Sequence, residues 1–600
     1  MCGISGIWRP KGLTSLDYHK SKSSIQRLST RGPDFQSTKS INNDLLFNHA
    51  RLSILDLTSS SNQPIYSCCG RYLLAFNGEI YNFKEIALSL NQYESKYSLY
   101  SNKLRLCSDT ISILDSLSVF GVFPTLNRLN GMFSISVYDC LDKILYLSRD
   151  YYGQKPLYYH LDYDSLAFSS DLIDTKSFLD KTPALCKEAS YQYIEYGMSL
   201  SPQSLYCSIF EVAPNQIVSF SLHSGSTLVK SFSYLHDDSI ITQNKPNLSE
   251  AMDRIILDHL HSDVPSALLL SGGIDSTLLA GLSAKNSSDS ISCFTFYQSN
   301  DIEVRLAKKT AYDFSLPHYI ISPEPEHLSD LISHSLSTVD VPISDPATFS
   351  SLYMHTKVKE LGFKVLLNGD GADEIFSGYS RHFSSYKPLH RLPSKLVAFL
   401  SNLYSQYQHL FPQKTSFVKY IRYLLSDTRG IAYLSRLAES PLYLNTQPVL
   451  EMFLESRSSL DLLHSNPNLI DIFSFLPSKM LVKTDRSSMN VGVEARSPYL
   501  DLRLCSYSSI FPNQRKKYLK QLLSDIYPTY PIEQPKSGFE FDFSFLNQLP
   551  VFDFLASTFV SDIFDYLDIN PLYNHSLFQK PFNRSNWNLV SFLSWAQFNL

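Results

Sequence analysis

A cysteine at the second position, in Met1-Cys2-Gly3-Ile4-Ser5-Gly6-Ile7, is the residue whose type and place most directly suggest chemistry. A small second residue lets the initiator methionine be trimmed, which would leave a thiol and a free α-amine on one residue. A thiol becomes nucleophilic when it loses its proton, and an α-amine with a reference pKa of about 8 can take that proton at neutral pH. Cys2 is therefore a candidate N-terminal nucleophile for attack on an amide or ester carbonyl. Taken alone, it reads first as a small apolar side chain opening a strand.

Four segments downstream change that balance: Arg31-Gly32-Pro33-Asp34, Asn48-His49-Ala50-Arg51-Leu52-Ser53-Ile54, Phe76-Asn77-Gly78-Glu79-Ile80-Tyr81-Asn82 and Ser108-Asp109-Thr110. Each contains turn formers or a charge that would pass unnoticed singly. In this order after Cys2, they resemble the glutaminase domain of the class II, N-terminal-nucleophile amidotransferases. The resemblance implies that Arg51 grips the glutamine α-carboxylate and that Glu79 and Asp109 hold its α-ammonium. It further implies an oxyanion hole made by Asn77 and the backbone N–H of Gly78. One feature departs from the pattern, since Ile111 stands where an acidic residue often follows the Ser-Asp-Thr triplet.

A second centre is written in Leu270-Ser271-Gly272-Gly273-Ile274-Asp275-Ser276-Thr277, after the apolar Ala267-Leu268-Leu269 and before the helical Leu278-Leu279-Ala280. A strand, a glycine-rich turn and a helix start present bare N–H groups and a positive dipole end to an anion. The loop lacks the Gly-Lys-Ser/Thr of a Walker A motif, which argues against γ-phosphoryl transfer. It resembles the pyrophosphate loop of ATP pyrophosphatases, which cleave between the α and β phosphates. ATP binding is then implied for Leu270, Ser271, Gly272, Gly273, Asp275, Ser276 and Gly369, with Asp275 as a Mg²⁺ ligand. A second loop, Asn368-Gly369-Asp370-Gly371-Ala372-Asp373-Glu374, follows another apolar strand. By the same resemblance Asp373 is the second Mg²⁺ carboxylate and Asp370 faces the acyl substrate. The distal Glu spacing of an EF-hand is absent.

Further segments are Ser344-Asp345-Pro346-Ala347, Leu481-Val482-Lys483-Thr484-Asp485-Arg486-Ser487-Ser488-Met489, Val493-Glu494-Ala495-Arg496-Ser497-Pro498-Tyr499-Leu500-Asp501 and Lys536-Ser537-Gly538-Phe539. Together they resemble the glutamine-hydrolysing asparagine synthetase family over nearly the whole chain. The implied reaction is ATP-dependent amidation of L-aspartate through a β-aspartyl-AMP intermediate, releasing AMP, pyrophosphate and glutamate. Lys536 matches the family lysine that neutralises the α-phosphate. Gln534 replaces a common Arg, and Phe541-Asp542-Phe543 replaces the usual proline, departures that bear on the acceptor pocket. Two other readings are open: the same chemistry on another carboxylate, such as a uronic acid of a surface polysaccharide, or a catalytically silent, nucleotide-binding regulatory relative.

The elements that must position these residues follow from texture. From Met1 to about Leu222, short β-branched and aromatic runs broken by turns suggest stacked antiparallel sheets. The resemblance makes this a four-layer αββα Ntn-hydrolase sandwich, so residues 1–222 are expected to be the glutaminase domain. Residues 223–247, polar and Ser-rich, read as a linker. Residues 248–600 alternate brief apolar strands with longer helical periods, as a parallel α/β sheet does, and are expected to be the ATP-pyrophosphatase domain with added helices. The fold class is thus α+β followed by α/β.

A chain of 600 residues exceeds one core, and 44% hydrophobic with 18% charged residues and a net charge of −5 describe an ordinary globular protein without the basic face of a nucleic-acid binder. Nine irregularly spaced cysteines indicate neither a disulfide framework nor a zinc site. No apolar run approaches the roughly 20 residues of a membrane span, and the start lacks a leader's basic region, so a cytoplasmic location is expected. The expected partners are the small molecules glutamine, aspartate or another carboxylate, and ATP with Mg²⁺. A homodimer is an allowed assembly.

Overall fold

The computed structural model describes residues 2–163, 165–223, 226–233, 247–286, 291–297, 302–382, 434, 437, 467–508, 515–533, 543–556, 558–569 and 582–600. Seventeen strands among them form three sheets. The first is antiparallel, in the order β10 (Ile209–Glu211), β8 (Tyr158–Asp162), β9 (Ser165–Ser169), β1 (Gly3–Trp8), β3 (Leu45–Arg51), β2 (Phe35–Ile41). The second, also antiparallel, runs β12 (Ser226–Ser233), β11 (Gln216–His223), β7 (Ile144–Arg149), β6 (Gly131–Asp139), β5 (Tyr72–Ile80), β4 (Ile65–Tyr66).

Period-two alternation stacks these sheets. Ile4 and Trp8 of β1 point into a core shared with Leu73 and Ala75 of β5, Leu145 and Leu147 of β7 and Val218 of β11. Ile7 faces the other way, onto Leu46, Ala167 and Phe178. The outer face of the second sheet, including Leu74, Phe76, Ile135 and Val137, packs on Ile111, Ile113 and Leu114 of helix Asp109–Phe120. On the far side of the first sheet, helix Ser15–Leu28 lies so close that a Cβ on Gly3 would stand 2.9 Å from Leu28 Cβ. The result is the αββα sandwich.

The expected linker needs correction. Ser226–Ser233 is strand β12, paired with β11 in an antiparallel register from Gln216↔Ser233 to His223↔Ser226. A Ser-rich edge strand holds its place by backbone hydrogen bonds, which leave little hydrophobic signature.

The third sheet is wholly parallel, in the order β15 (His318–Ile321), β14 (Ser292–Phe296), β13 (Ser266–Leu269), β16 (Val365–Leu367), β17 (Glu494–Arg496). The chain moves outward from β13 to β15, then returns to place β16 on the other side of β13. That reversal leaves a crevice beyond the carboxyl ends of β13 and β16, where open α/β sheets bind ligands.

The two halves share cores. Leu52, Ile54, Tyr151, Tyr152, Tyr196 and Met198 pack in one apolar cluster with Leu268, Leu278, Ile470, Phe473 and Tyr499. Trp587 and Trp595, on the last helix Arg584–Asn599, join Tyr193, Ile194 and Leu205, and their indole N–H groups donate to the carbonyls of Ile343 (2.8 Å) and Asp340 (3.0 Å).

Candidate active sites

The first centre lies where the two antiparallel sheets face each other. Cys2 leads into β1, and its backbone nitrogen donates to Asn77 Oδ1 at 3.0 Å, while Asn77 Nδ2 donates to Ser134 Oγ at 3.3 Å. The neighbouring Gly78 has no room for a side chain: a Cβ there would stand 2.0 Å from the Met132 carbonyl oxygen and 2.7 Å from Phe133 Cα. Burial raises the Cys2 thiol pKa, an effect partly offset by a hydrogen bond from the Leu52 backbone and the charge of Arg51.

Glu79 and Asp109 are both buried beside this centre. Asp109 opens helix Asp109–Phe120, where Oδ2 accepts from the Ile80 N–H at 3.3 Å and Oδ1 from the Thr110 N–H at 2.6 Å. Its pKa is pushed up to about 6, chiefly by burial. That of Glu79 is raised well above the ordinary value by burial, with the charges of Asp109 and Glu494 adding to the effect and Arg496 opposing it. Two neighbouring buried carboxylates attract a cation. One is already present, for a guanidinium nitrogen of Arg496 lies 3.2 Å from Glu79 Oε2.

Arg51 is engaged by its own loop. Its guanidinium donates to the carbonyls of Thr58 (2.8 Å), Leu55 (3.2 Å) and Asp56 and to Asn62 Oδ1 (2.7 Å), so the fork closes the loop after β3 instead of opening towards a ligand. A guanidinium satisfies a tight loop's carbonyls readily, having five donors in a plane.

The second centre occupies the crevice between β13 and β16. Gly272 adopts φ +81°, and a Cβ there would meet the Glu303 carbonyl oxygen at 2.1 Å, so the turn requires glycine. Ser276 Oγ accepts from the Ser271 N–H at 3.1 Å, and Ser271 Oγ from the Gly273 N–H at 3.4 Å, two hydroxyls holding amides that could turn to a phosphate. Leu270 is different, since its N–H donates to the Phe294 carbonyl (2.8 Å) and its own carbonyl accepts from Thr295 Oγ1 (2.5 Å). Its backbone is thus committed to the sheet, and its side chain to the core.

Asp275 and Asp373 converge on one cation. Lys516 Nζ stands 2.8 and 2.7 Å from the two oxygens of Asp275 and 2.6 Å from Asp373 Oδ1. The converging carboxylates fit Mg²⁺, which takes one or two carboxylates and completes its shell from phosphates and water. Gly369 brings the second loop against the first, its position for a Cβ being 3.3 Å from Asp275 Cβ. Asp370 Oδ2 accepts from Thr484 Oγ1 at 2.5 Å, which ties this loop to helix Leu481–Met489. Lys536 lies outside the described residues.

Lys516, Arg496 and Asp485 carry pairings to which the sequence assigned no role. Arg496 and Asp485 sat in recognised motifs, whereas Lys516 lies in the unremarkable basic run Arg515-Lys516-Lys517. Nothing local distinguishes it from a solvated lysine.

A cysteine just ahead of the first strand of an αββα sandwich, packed on a parallel sheet with two acidic glycine turns at its switch point, defines an amidotransferase joined to a nucleotide-using synthetase. The family model described as asparagine synthase matches residues 247–597, and that of the glutamine amidotransferase domain matches residues 1–232. The chain belongs to the asparagine synthase family. It is similar to asparagine synthetase [glutamine-hydrolyzing] 1 of Bacillus subtilis, with 29% identity over 584 residues, 90% of this chain and 87% of that protein. Asparagine synthetase [glutamine-hydrolyzing] 3 of the same organism is 24% identical, again over 90% and 87% of the two chains. Asparagine synthetase [glutamine-hydrolyzing] 2 of Oryza sativa subsp. japonica is 28% identical over 63% of this chain and 60% of its own. Family membership makes the chain a carbon–nitrogen ligase that uses ATP and takes nitrogen from glutamine.

Proposed function

We propose that the chain converts L-aspartate to L-asparagine through a β-aspartyl-AMP intermediate. The single observation that carries the synthetase half is the convergence of Asp275 and Asp373, from the two turns flanking the switch point, on one positive charge.

In the glutaminase half the Cys2 thiolate attacks the side-chain amide carbon of glutamine, its proton passing to the α-amine exposed when Met1 is removed. Asn77 Oδ1 holds that nitrogen, and the second hydrogen of Asn77 Nδ2, with the Gly78 N–H, faces the developing oxyanion. Collapse breaks the C–N bond, the amine returns the proton and ammonia leaves; water then hydrolyses the thioester to glutamate. Glu79 and Asp109 bind the α-ammonium, and Arg51 takes the α-carboxylate by exchanging loop carbonyls for it.

In the synthetase half the Ser271–Ser276 turn cradles pyrophosphate at the start of helix Ile274–Asn286. Mg²⁺ held by Asp275 and Asp373 would neutralise phosphate charge. Asp370 orients the aspartate whose β-carboxylate attacks the α-phosphorus and expels pyrophosphate. Ammonia then displaces AMP, and Lys536 steadies the charge on the α-phosphate.

Replacing Cys2 by alanine tests the division of labour. Glutamine-dependent synthesis should vanish while ammonia-dependent synthesis persists, and intact-mass measurement of the wild type should show Met1 absent. Equal loss with both nitrogen sources would contradict this assignment.

A further inference from the structure

The main chain of Cys2 is held at both ends. Asn77 Oδ1 takes its nitrogen, and Arg31 Nε donates to its carbonyl oxygen at 3.2 Å. The other two nitrogens of Arg31 form a two-pronged pair with Asp485, at 2.9 and 3.0 Å. Asp485 belongs to the synthetase half, on helix Leu481–Met489, and both members of the pair are buried.

Such a fork fixes the plane of a guanidinium, so the direction of Arg31 Nε is set from across the interface. Asp485 is itself anchored. Arg486 donates to it at 3.0 Å and makes a two-pronged pair with Asp340 at 2.8 Å on each prong, and Lys155 lies 4.0 Å away. Against the effect of burial, Arg31, Arg486 and Lys155 hold the Asp485 carboxyl well below the usual carboxylate range. Successive residues on a helix point about 100° apart. Accordingly Thr484 turns towards Asp370 in the crevice while Asp485 turns towards Cys2.

We propose that Asp485 is a positioning residue for the nucleophile, acting through Arg31 to fix the Cys2 carbonyl and hence the direction of its thiol. The inference rests on the reading of Cys2 as the glutaminase nucleophile. It makes glutamine hydrolysis depend on a side chain of the synthetase half. It also ties the nucleophile, through Arg31, and the acceptor loop, through Thr484, to adjacent residues of one helix.

The test uses the full-length protein with Asp485→Asn and, to keep the buried negative charge should that variant not fold, Asp485→Glu. The expected result is a tenfold or greater fall in kcat for glutamine hydrolysis, with KM for glutamine shifting less than threefold. Alkylation of Cys2 by a chloroketone analogue of glutamine should slow by a similar factor, and glutamine-dependent synthesis should fall at least fivefold more than ammonia-dependent synthesis. Glutamine- and ammonia-dependent rates falling together, or alkylation at the wild-type rate, would overturn the proposal. A wild-type protein unable to hydrolyse glutamine would instead overturn the functional reading beneath it.

Discussion

Arg496 meets Glu79 across the interface, its guanidinium nitrogen 3.2 Å from Glu79 Oε2, so a buried carboxylate of the glutaminase half is paired with a cation from the edge strand of the parallel sheet. The same guanidinium donates to Glu494 at 2.7 Å and to the carbonyls of His259 and His261, each at 2.8 Å. One strand further in, the Arg496 carbonyl accepts from the Asn368 N–H at 2.9 Å, at the root of the loop that carries Asp370.

Removing Arg496 should therefore be costly. Arg496→Met leaves Glu79 and Glu494 buried without their shared partner, and breaking a buried pair from one side costs about 3–5 kcal/mol. A denaturant titration followed by tryptophan fluorescence should show that loss, and an unfolding midpoint equal to that of the wild type would contradict the pairing.

Glutamine binding should weaken in acid. Asp109 titrates at about 6, and only its ionised form attracts an α-ammonium, so KM for glutamine should rise as pH falls through 6. The sign for stability is opposite: a carboxyl with its pKa raised by burial destabilises the fold as pH climbs from the unfolded value of about 4 towards 6. Asp109→Asn should have a high KM that varies less over this range, leaving only the share due to Glu79, and should remove that stability decrement. A wild-type KM that stays flat from pH 5 to 7 would refute the role given to Asp109.

Lys516 should matter to the nucleotide half. It lies between Asp275 and Asp373, and Lys516→Met would leave two carboxylates facing each other without a cation. Pyrophosphate release should fall tenfold or more, and half-maximal activity should require less Mg²⁺, because the two uncompensated carboxylates hold the metal more tightly. An unchanged Mg²⁺ dependence would show that the lysine does not share the site.

What could be read from the sequence was what one short segment determines by itself. Cys2 at the start of a strand and the Gly272 turn ahead of a helix are local constraints, and residue type exposes them. The parallel sheet was visible through Ala267–Leu270 and Lys364–Leu367, apolar on both faces as buried strands are. Lys516, Asp485 and Arg496 gain meaning only from partners brought close by the fold, 241 residues away for Lys516 and Asp275 and 454 for Arg31 and Asp485. Arg51 illustrates the opposite case. Its motif was readable, but the loop that engages its fork was not. Strand β12 escaped because backbone pairing, rather than an apolar face, marks a Ser-rich edge.

The decisive experiment is to supply the purified protein with glutamine, ATP and Mg²⁺, with and without aspartate, and to follow glutamate, pyrophosphate and asparagine together. Equal amounts of asparagine and pyrophosphate, formed only when aspartate is present, are the expected result. Glutamate release with neither product, or pyrophosphate formed on a uronic acid but not on aspartate, would contradict aspartate as the acceptor.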